Sequence, residues 1–175
     1  MHILKTIGLV LAMLFCSLSA QAQSGNRYCP DILSVAGAPE PTHRGEFTLS
    51  PAATYHFSQN PEHKPVMLVA VDEQLPGGRF CGVSFFSNSF GQPSTYVYVG
   101  QQFNGLFDNP KLFVKVSGGI IYGYVGKYQH KVPLNSHGFS PGVIPSIGYK
   151  VSEHDSLQMQ VLGTAGLMFS YGRKF

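Results

Sequence analysis

Charge is what this sequence has least of. Only 12% of its 175 residues are Asp, Glu, Lys or Arg, against ~25% in an average soluble domain. The net charge of +3 is too mild for a nucleic-acid footprint. No internal repeat or low-complexity tract is present. Beyond residue 22 no apolar run approaches the ~20 residues a transmembrane helix requires. Cysteine is sparse too, and of the three only Cys29 and Cys81 lie beyond the leader described next. In an exported chain such a pair either closes a disulfide or remains as two buried thiols, and both readings stay open.

The chain starts MHILKTIGLVLAMLFCSLSAQAQ. Lys5 supplies a positive n-region, Ile7 to Ala20 an apolar run, and Ala20-Gln21-Ala22 a small-x-small cleavage site. This is expected to be a secretory signal peptide over residues 1–22, the run being too short to span a membrane. Phe15 before Cys16 argues against a lipoprotein box. An N-terminal periplasmic segment is expected over 23–44, and a single domain over 45–175.

Glycine and aromatic residues are plentiful instead, at 20 glycines and 13% aromatics. Turn signals recur roughly every ten to fifteen residues, and the segments between them alternate at period two. The spacing predicts eight strands, over 45–57, 64–73, 78–88, 94–103, 111–124, 142–151, 155–162 and 165–175. Low charge and even strand number point to an all-β fold, an eight-stranded antiparallel transmembrane β-barrel of the bacterial outer membrane. In the last segment Leu167, Phe169, Tyr171 and Phe175 share one face, and Gly166, Met168, Ser170 and Gly172 the other. A terminal aromatic on the outward face is typical of such barrels. A secreted soluble sandwich or lipocalin-like barrel is the alternative.

Barrel topology assigns sides. With both barrel ends periplasmic, His56 at the end of the first strand and Asn88 and Ser89 at the end of the third share the extracellular rim. Two strand spacings put them about 10 Å apart. Imidazole titrates near neutrality and suits general-base work, and a serine hydroxyl beside it can donate to a developing negative charge or position a second group. Taken alone, a strand-end histidine is more simply structural or solvated. Lys127, His130, Lys131 and His137 in the long fifth connection suit either lipid phosphates or a solvated loop, and the histidines lack a metal-site partner set.

Prolines fall where a closed wall should not have them, since each removes a ladder donor that lipid cannot replace. Pro51 lies inside the first strand, Pro65 opens the second, and Pro145 falls early in the sixth. Gaps at such points are routes by which a lipid enters sideways; the plainer reading is that Pro65 and Pro145 mark strand boundaries. Gly100 shares a face with Tyr96, Tyr98 and Gln102, about 20 Å below the rim, where it either eases a bend or opens space. The inferred inward positions are mostly small or aromatic, unlike the polar-filled lumen of small structural barrels.

Two segments carry a resemblance. SPAATYH, with Pro51 five residues before His56, is similar to the first strand of the PagP-type lipid A palmitoyltransferases of the outer membrane. FFSNSFGQPSTYVYVG resembles the catalytic segment of that family, with Ser89 on its serine, Asn88 on its aspartate and Gly100 on its glycine at the same spacing. VSGGIIYG, PGVIPSIGY, QMQV and MFSYGRKF look like the family's second half, so the likeness runs over residues 45–175 at low identity. It implies transfer of a palmitoyl chain from a glycerophospholipid donor to a hydroxyl of lipid A, the lipopolysaccharide anchor, by a cofactor-free monomeric enzyme. It further implies His56 as catalytic histidine, Gly100 as acyl-chain gauge, and Pro51, Pro65 and Pro145 as flanks of lateral lipid openings. The chain departs from the pattern at Asn88, which replaces an acid, and at Leu162 and Gly163, where a second gate proline is missing. The family's N-terminal amphipathic helix is replaced by a Pro- and Gly-rich stretch fit for a short turn only. Two rivals stand beside this reading. A lipid A deacylase would need a His-x-Ser pair, which His137-Gly-Phe-Ser140 approximates one residue too long; the other is a non-enzymatic structural barrel.

Overall fold

The computed structural model describes residues 27–175; the expected signal peptide lies outside the described residues. Nine strands form among them: β1 (Gly45–Pro51), β2 (Thr54–His56), β3 (Met67–Gln74), β4 (Arg79–Ser87), β5 (Pro93–Asn104), β6 (Leu112–Tyr122), β7 (Phe139–Lys150), β8 (Asp155–Val161) and β9 (Gly166–Lys174). From β3 to β9 sequential neighbours pair antiparallel; β1 pairs with both β3 and β9 to close the sheet, and β2 pairs with β9 alone. Gly45 and Phe175 exchange backbone hydrogen bonds of 3.0 and 2.9 Å at the seam. The predicted first strand is thus two pieces of one stave, and the barrel has eight staves.

Period-two alternation decides which residues face where. Val69, Val97, Ile120, Val143, Leu157 and Phe169 point outward and are exposed, an apolar band suited to lipid. Aromatics rim it at both ends, with Tyr55, Phe57, Tyr122 and Phe139 at one and Phe103, Tyr149 and Phe175 at the other. Inside, Phe80, Tyr96 and Tyr98 form the buried aromatic core, with Phe86, Ile121 and Ile144 against it.

The expectation of a small-and-aromatic lumen holds for only half of the barrel. Nearer the termini, Lys115 Nζ lies 2.7 Å from Glu46 Oε1 and 3.6 Å from Asp72 Oδ2. Gln158 donates to Glu46 at 2.6 Å, and the Tyr98 hydroxyl donates to Asp72. Five strands are therefore cross-tied through a desolvated ion cluster, where each charge is tolerable only because it is paired and hydrogen-bonded. Period-two reading places these residues inward but does not reveal that they converge.

Cys29 and Cys81 are joined in a disulfide, with Cα atoms 5.8 Å apart. Cys81 sits on the outward face of β4, so the bridge pins residues 27–38 beside the β3–β4 hairpin. The Cys29 amide donates to Glu73 at 2.7 Å and the Val35 amide to Pro76 at 3.4 Å. Asp31–Leu33 forms one 3-10 turn, as far as helix goes in so Pro- and Gly-rich a stretch.

Candidate active site

At the end of the barrel away from Gly45 and Phe175, the wall is incomplete in two places. The β1–β3 ladder stops at Pro51↔Met67, and β2 continues along β9 alone. The cause is local. Leu49 pairs with Tyr171 but Thr54 with Met168, so two extra residues bulge out around Ala52, whose φ is +62°. Pro51 has no N–H for Phe169, and the Ser50 hydroxyl donates to that carbonyl instead, at 2.7 Å. Pro65 stands just ahead of β3, where the Ser87 hydroxyl donates to its carbonyl and accepts from the Met67 amide. Two serines thus patch the backbone that two prolines interrupt.

The second gap separates β7 from β8. Their ladder ends at Ser146↔Gln160, while β6 follows β7 up to Phe139. The amide of Val151 bonds toward β8 and that of Lys150 toward the β6 side, so odd-numbered donors of β7 face β8. Pro141 and Pro145 are both odd and delete two of them. The gap therefore forms without a proline near Leu162, where a turn with Gly163 at φ +58° leads into β9. Sequence reading caught Pro145 and missed Pro141, because it began the strand at residue 142.

Between these gaps lies a cavity of about 640 Å³, within the ~300–1,000 Å³ of ligand sites. Leu68, Phe86, Tyr96, Ile121, Ile144 and Met168 line its middle; Asp72, Phe80, Tyr98 and Lys115 line its lower part. Gly100 is not on its surface. A Cβ there would lie 2.3 Å from Cζ of Phe80 and 2.6 Å from the Val116 carbonyl oxygen. Its missing side chain seats the Phe80 ring, and that ring meets the cavity.

His56 and Ser89 meet at the mouth, with Nε2 and Oγ 2.9 Å apart. Asn88 does not join them. Its Oδ1 accepts from the amides of Phe90 and Gln92, and its Nδ2 donates to Ser94 at 3.2 Å. It is an Asx-type organiser of the turn that carries Ser89, with 1% of its surface exposed. Two residues absent from the sequence reading complete the group. The ring of His63 stacks on that of His56, centroids 4.2 Å apart and planes at 27°. Tyr124 turns its phenol to the Ser89 hydroxyl; burial raises its pKa and the Ser89 contact pulls it back. Tyr124 has φ +55°, a conformation costly for a tyrosine, and Asn135 Nδ2 braces it by donating to its carbonyl at 3.2 Å. Neither residue was legible earlier, since each approaches from a loop.

The connecting loops close over this group. Lys127 bonds Glu62 at 2.6 Å, holding that carboxyl below its usual range, and Tyr128 stacks on Phe90 at 4.3 Å. His130 and Lys131 end the 3-10 turn Gly126–Lys131. His137 contacts the Ser136 hydroxyl, while Ser140 is buried on β7.

The fold is an all-β, eight-stranded antiparallel closed barrel of the transmembrane kind. A solved structure described as "De novo design of transmembrane beta-barrels" is similar over 78% of this chain and all of its own, at TM-score 0.54 and 14% identity. No protein-family model and no curated protein matches the sequence.

Proposed function

We propose that this protein is an outer-membrane acyltransferase of the lipid A palmitoyltransferase type. It moves a palmitoyl chain from a glycerophospholipid to a hydroxyl of a lipid A acyl chain. The observation that carries this reading is the 2.9 Å His56–Ser89 pair at the mouth of a largely apolar cavity flanked by two breaks in the strand ladders.

The chemistry follows from the residues. With its proton on Nδ1, His56 accepts at Nε2 and takes the proton of the acceptor hydroxyl as that oxygen attacks the donor ester. The tetrahedral oxyanion receives hydrogen bonds from Ser89 and Tyr124. As the ester bond to the donor breaks, His56 returns the proton to the departing glycerol oxygen. A new ester forms, an old one is lost, and no redox partner is involved. Ser89 needs no covalent intermediate in this scheme. From Ser87, at the top of β4, to Phe80 the strand covers about 23 Å at ~3.3 Å per residue, less in height once strand tilt is included.

Mass spectrometry of lipid A from cells with and without the gene is the test. A palmitoyl mass added by the wild type and not by His56→Ala supports the reading; loss of an acyl chain would assign a deacylase. The ion cluster in the lower lumen favours a second reading, a structural barrel, and identical lipid A spectra would select it.

A further inference from the structure

Nothing in the reaction scheme so far explains what orients the His56 ring. Its hydrogen-bond partner is Ser89 alone among the described residues, because the Asn88 side chain is committed to its own turn. The backbone of β2 is held on one side only, by β9. A catalytic imidazole free to rotate about χ2 spends little time with Nε2 aimed at the reacting atoms, and misplacement by about 1 Å costs on the order of 10²-fold in rate.

We propose that His63 is the positioning residue that clamps His56. The ring of His63 covers one face of the imidazole at 4.2 Å and is itself braced edge-on by Phe90, centroids 5.5 Å apart. The amide of Lys64, the next residue, donates to the carbonyl of Ser89 at 2.8 Å. Residues 63–64 are thereby bolted to 89–90 as one unit, by a ring contact and a backbone bond. That unit presents a flat wall and a hydroxyl together: His63 fixes the plane of His56 while Ser89 fixes its edge. Phe90 is 8% exposed and stacks in turn on Tyr128, so the brace has little room to yield. The loop containing His63 bridges the very gap that leaves β2 unsupported, which gives the clamp its place in the fold. The role is one of shape: a flat aromatic surface suffices, and no proton passes through His63.

The catalytic half of this inference rests on the acyltransferase reading; the clamp does not. The test uses full-length wild type, His63→Ala and His63→Phe, each reconstituted with glycerophospholipid and lipid A. Acyl transfer is followed kinetically, and the His56 Cε1–H resonance is recorded by NMR in the same samples. We expect His63→Ala to lower kcat about 10²-fold with donor KM unchanged, and His63→Phe to restore most of it. The ring-current shift of the His56 resonance is lost in His63→Ala and kept in His63→Phe. Wild-type kcat in His63→Ala, or equal impairment in both variants, overturns the positioning role. If wild type transfers no acyl chain, the acyltransferase reading falls. The clamp falls only if the His56 resonance is the same in wild type and His63→Ala.

Discussion

His56 Nε2 and Ser89 Oγ stand 2.9 Å apart although β2, which carries His56, and β4, which leads into the turn carrying Ser89, never pair. The contact exists because β3 starts late, at Met67, and leaves the rim between them open. If this pair performs acyl transfer, His56→Ala abolishes it and Ser89→Ala lowers the rate by about 10²–10³, the scale of one oxyanion donor. Both variants keep the folded barrel's heat-dependent gel mobility, since both side chains lie at the rim and outside the ion cluster. Lipid A mass spectrometry paired with that gel assay separates lost chemistry from lost fold.

Asn88 has the opposite profile. Its Oδ1 takes two backbone amides, which a carboxylate accepts equally well, and the Ser94 hydroxyl can turn to donate. Asn88→Asp therefore keeps both the turn and the activity. Asn88→Ala leaves two amides unpaired at about 1–3 kcal/mol each and misplaces Ser89, so it loses stability and activity together. Denaturant midpoints and transfer rates measured side by side check this; a collapse of activity in Asn88→Asp with an intact barrel would contradict the turn role.

Replacing Pro141 and Pro145 by valine returns two donors to the β8-facing edge of β7. The ladder then extends above Ser146↔Gln160, with a gain of about 1 kcal/mol per hydrogen bond, and the lateral gap narrows. Hydrogen exchange at Val143 slows, the new amides at 141 and 145 are protected, and if lipids pass here, transfer to lipid A slows with it. Faster exchange, or protection gained with no change in rate, separates a failed ladder from an unused gate.

Lys115 pairs with both Glu46 and Asp72 in the lower lumen. Lys115→Met strands two buried carboxylates and costs about 3–5 kcal/mol, the usual loss when one partner of a buried pair is removed. Replacing all three by apolar residues of similar volume costs far less. Urea unfolding in lipid vesicles reads both. Destabilisation of the triple variant as deep as that of the single would show that the cluster contributes more than its own pairing.

The staves were legible from alternation because every inward residue meets the lumen and every outward one lipid, so period two survives in all of them. Strand ends were less so: the sixth strand was expected to begin at residue 142, whereas the β6 ladder, a non-local contact, carries β7 back past Pro141 to Phe139. The break at Pro51 was legible, whereas its mechanism was not, since the two-residue bulge and the Ser50 bond depend on β9, over a hundred residues away. His56 and Ser89 could be placed on one rim by counting strands. His63 and Tyr124 could not, because loops have no period that says where a ring will come to rest. Asn88 read as a catalytic partner by position, yet Asn followed by Ser-Phe-Gly is also what an Asx turn requires, and that local bonding won.

Phe80, rather than Gly100, meets the cavity, and this separates two ways of changing chain length. Gly100→Ala puts a methyl 2.3 Å from the Phe80 ring and 2.6 Å from the Val116 carbonyl oxygen. The ring can swing upward, but the carbonyl belongs to the β5–β6 ladder and resists. The variant thus raises the floor and is destabilised by about 1–3 kcal/mol, as overpacked cores are. Phe80→Ala works in reverse, deepening the cavity and removing the ring that Lys115 Nζ overlies at 5.4 Å. The transferred chain should shorten in Gly100→Ala and lengthen in Phe80→Ala, both read from acyl masses on lipid A. If Gly100 lined the cavity directly, the double variant would behave as Gly100→Ala does. If it acts through Phe80, the double variant regains the long-chain preference of Phe80→Ala, because the added methyl then has no ring to push.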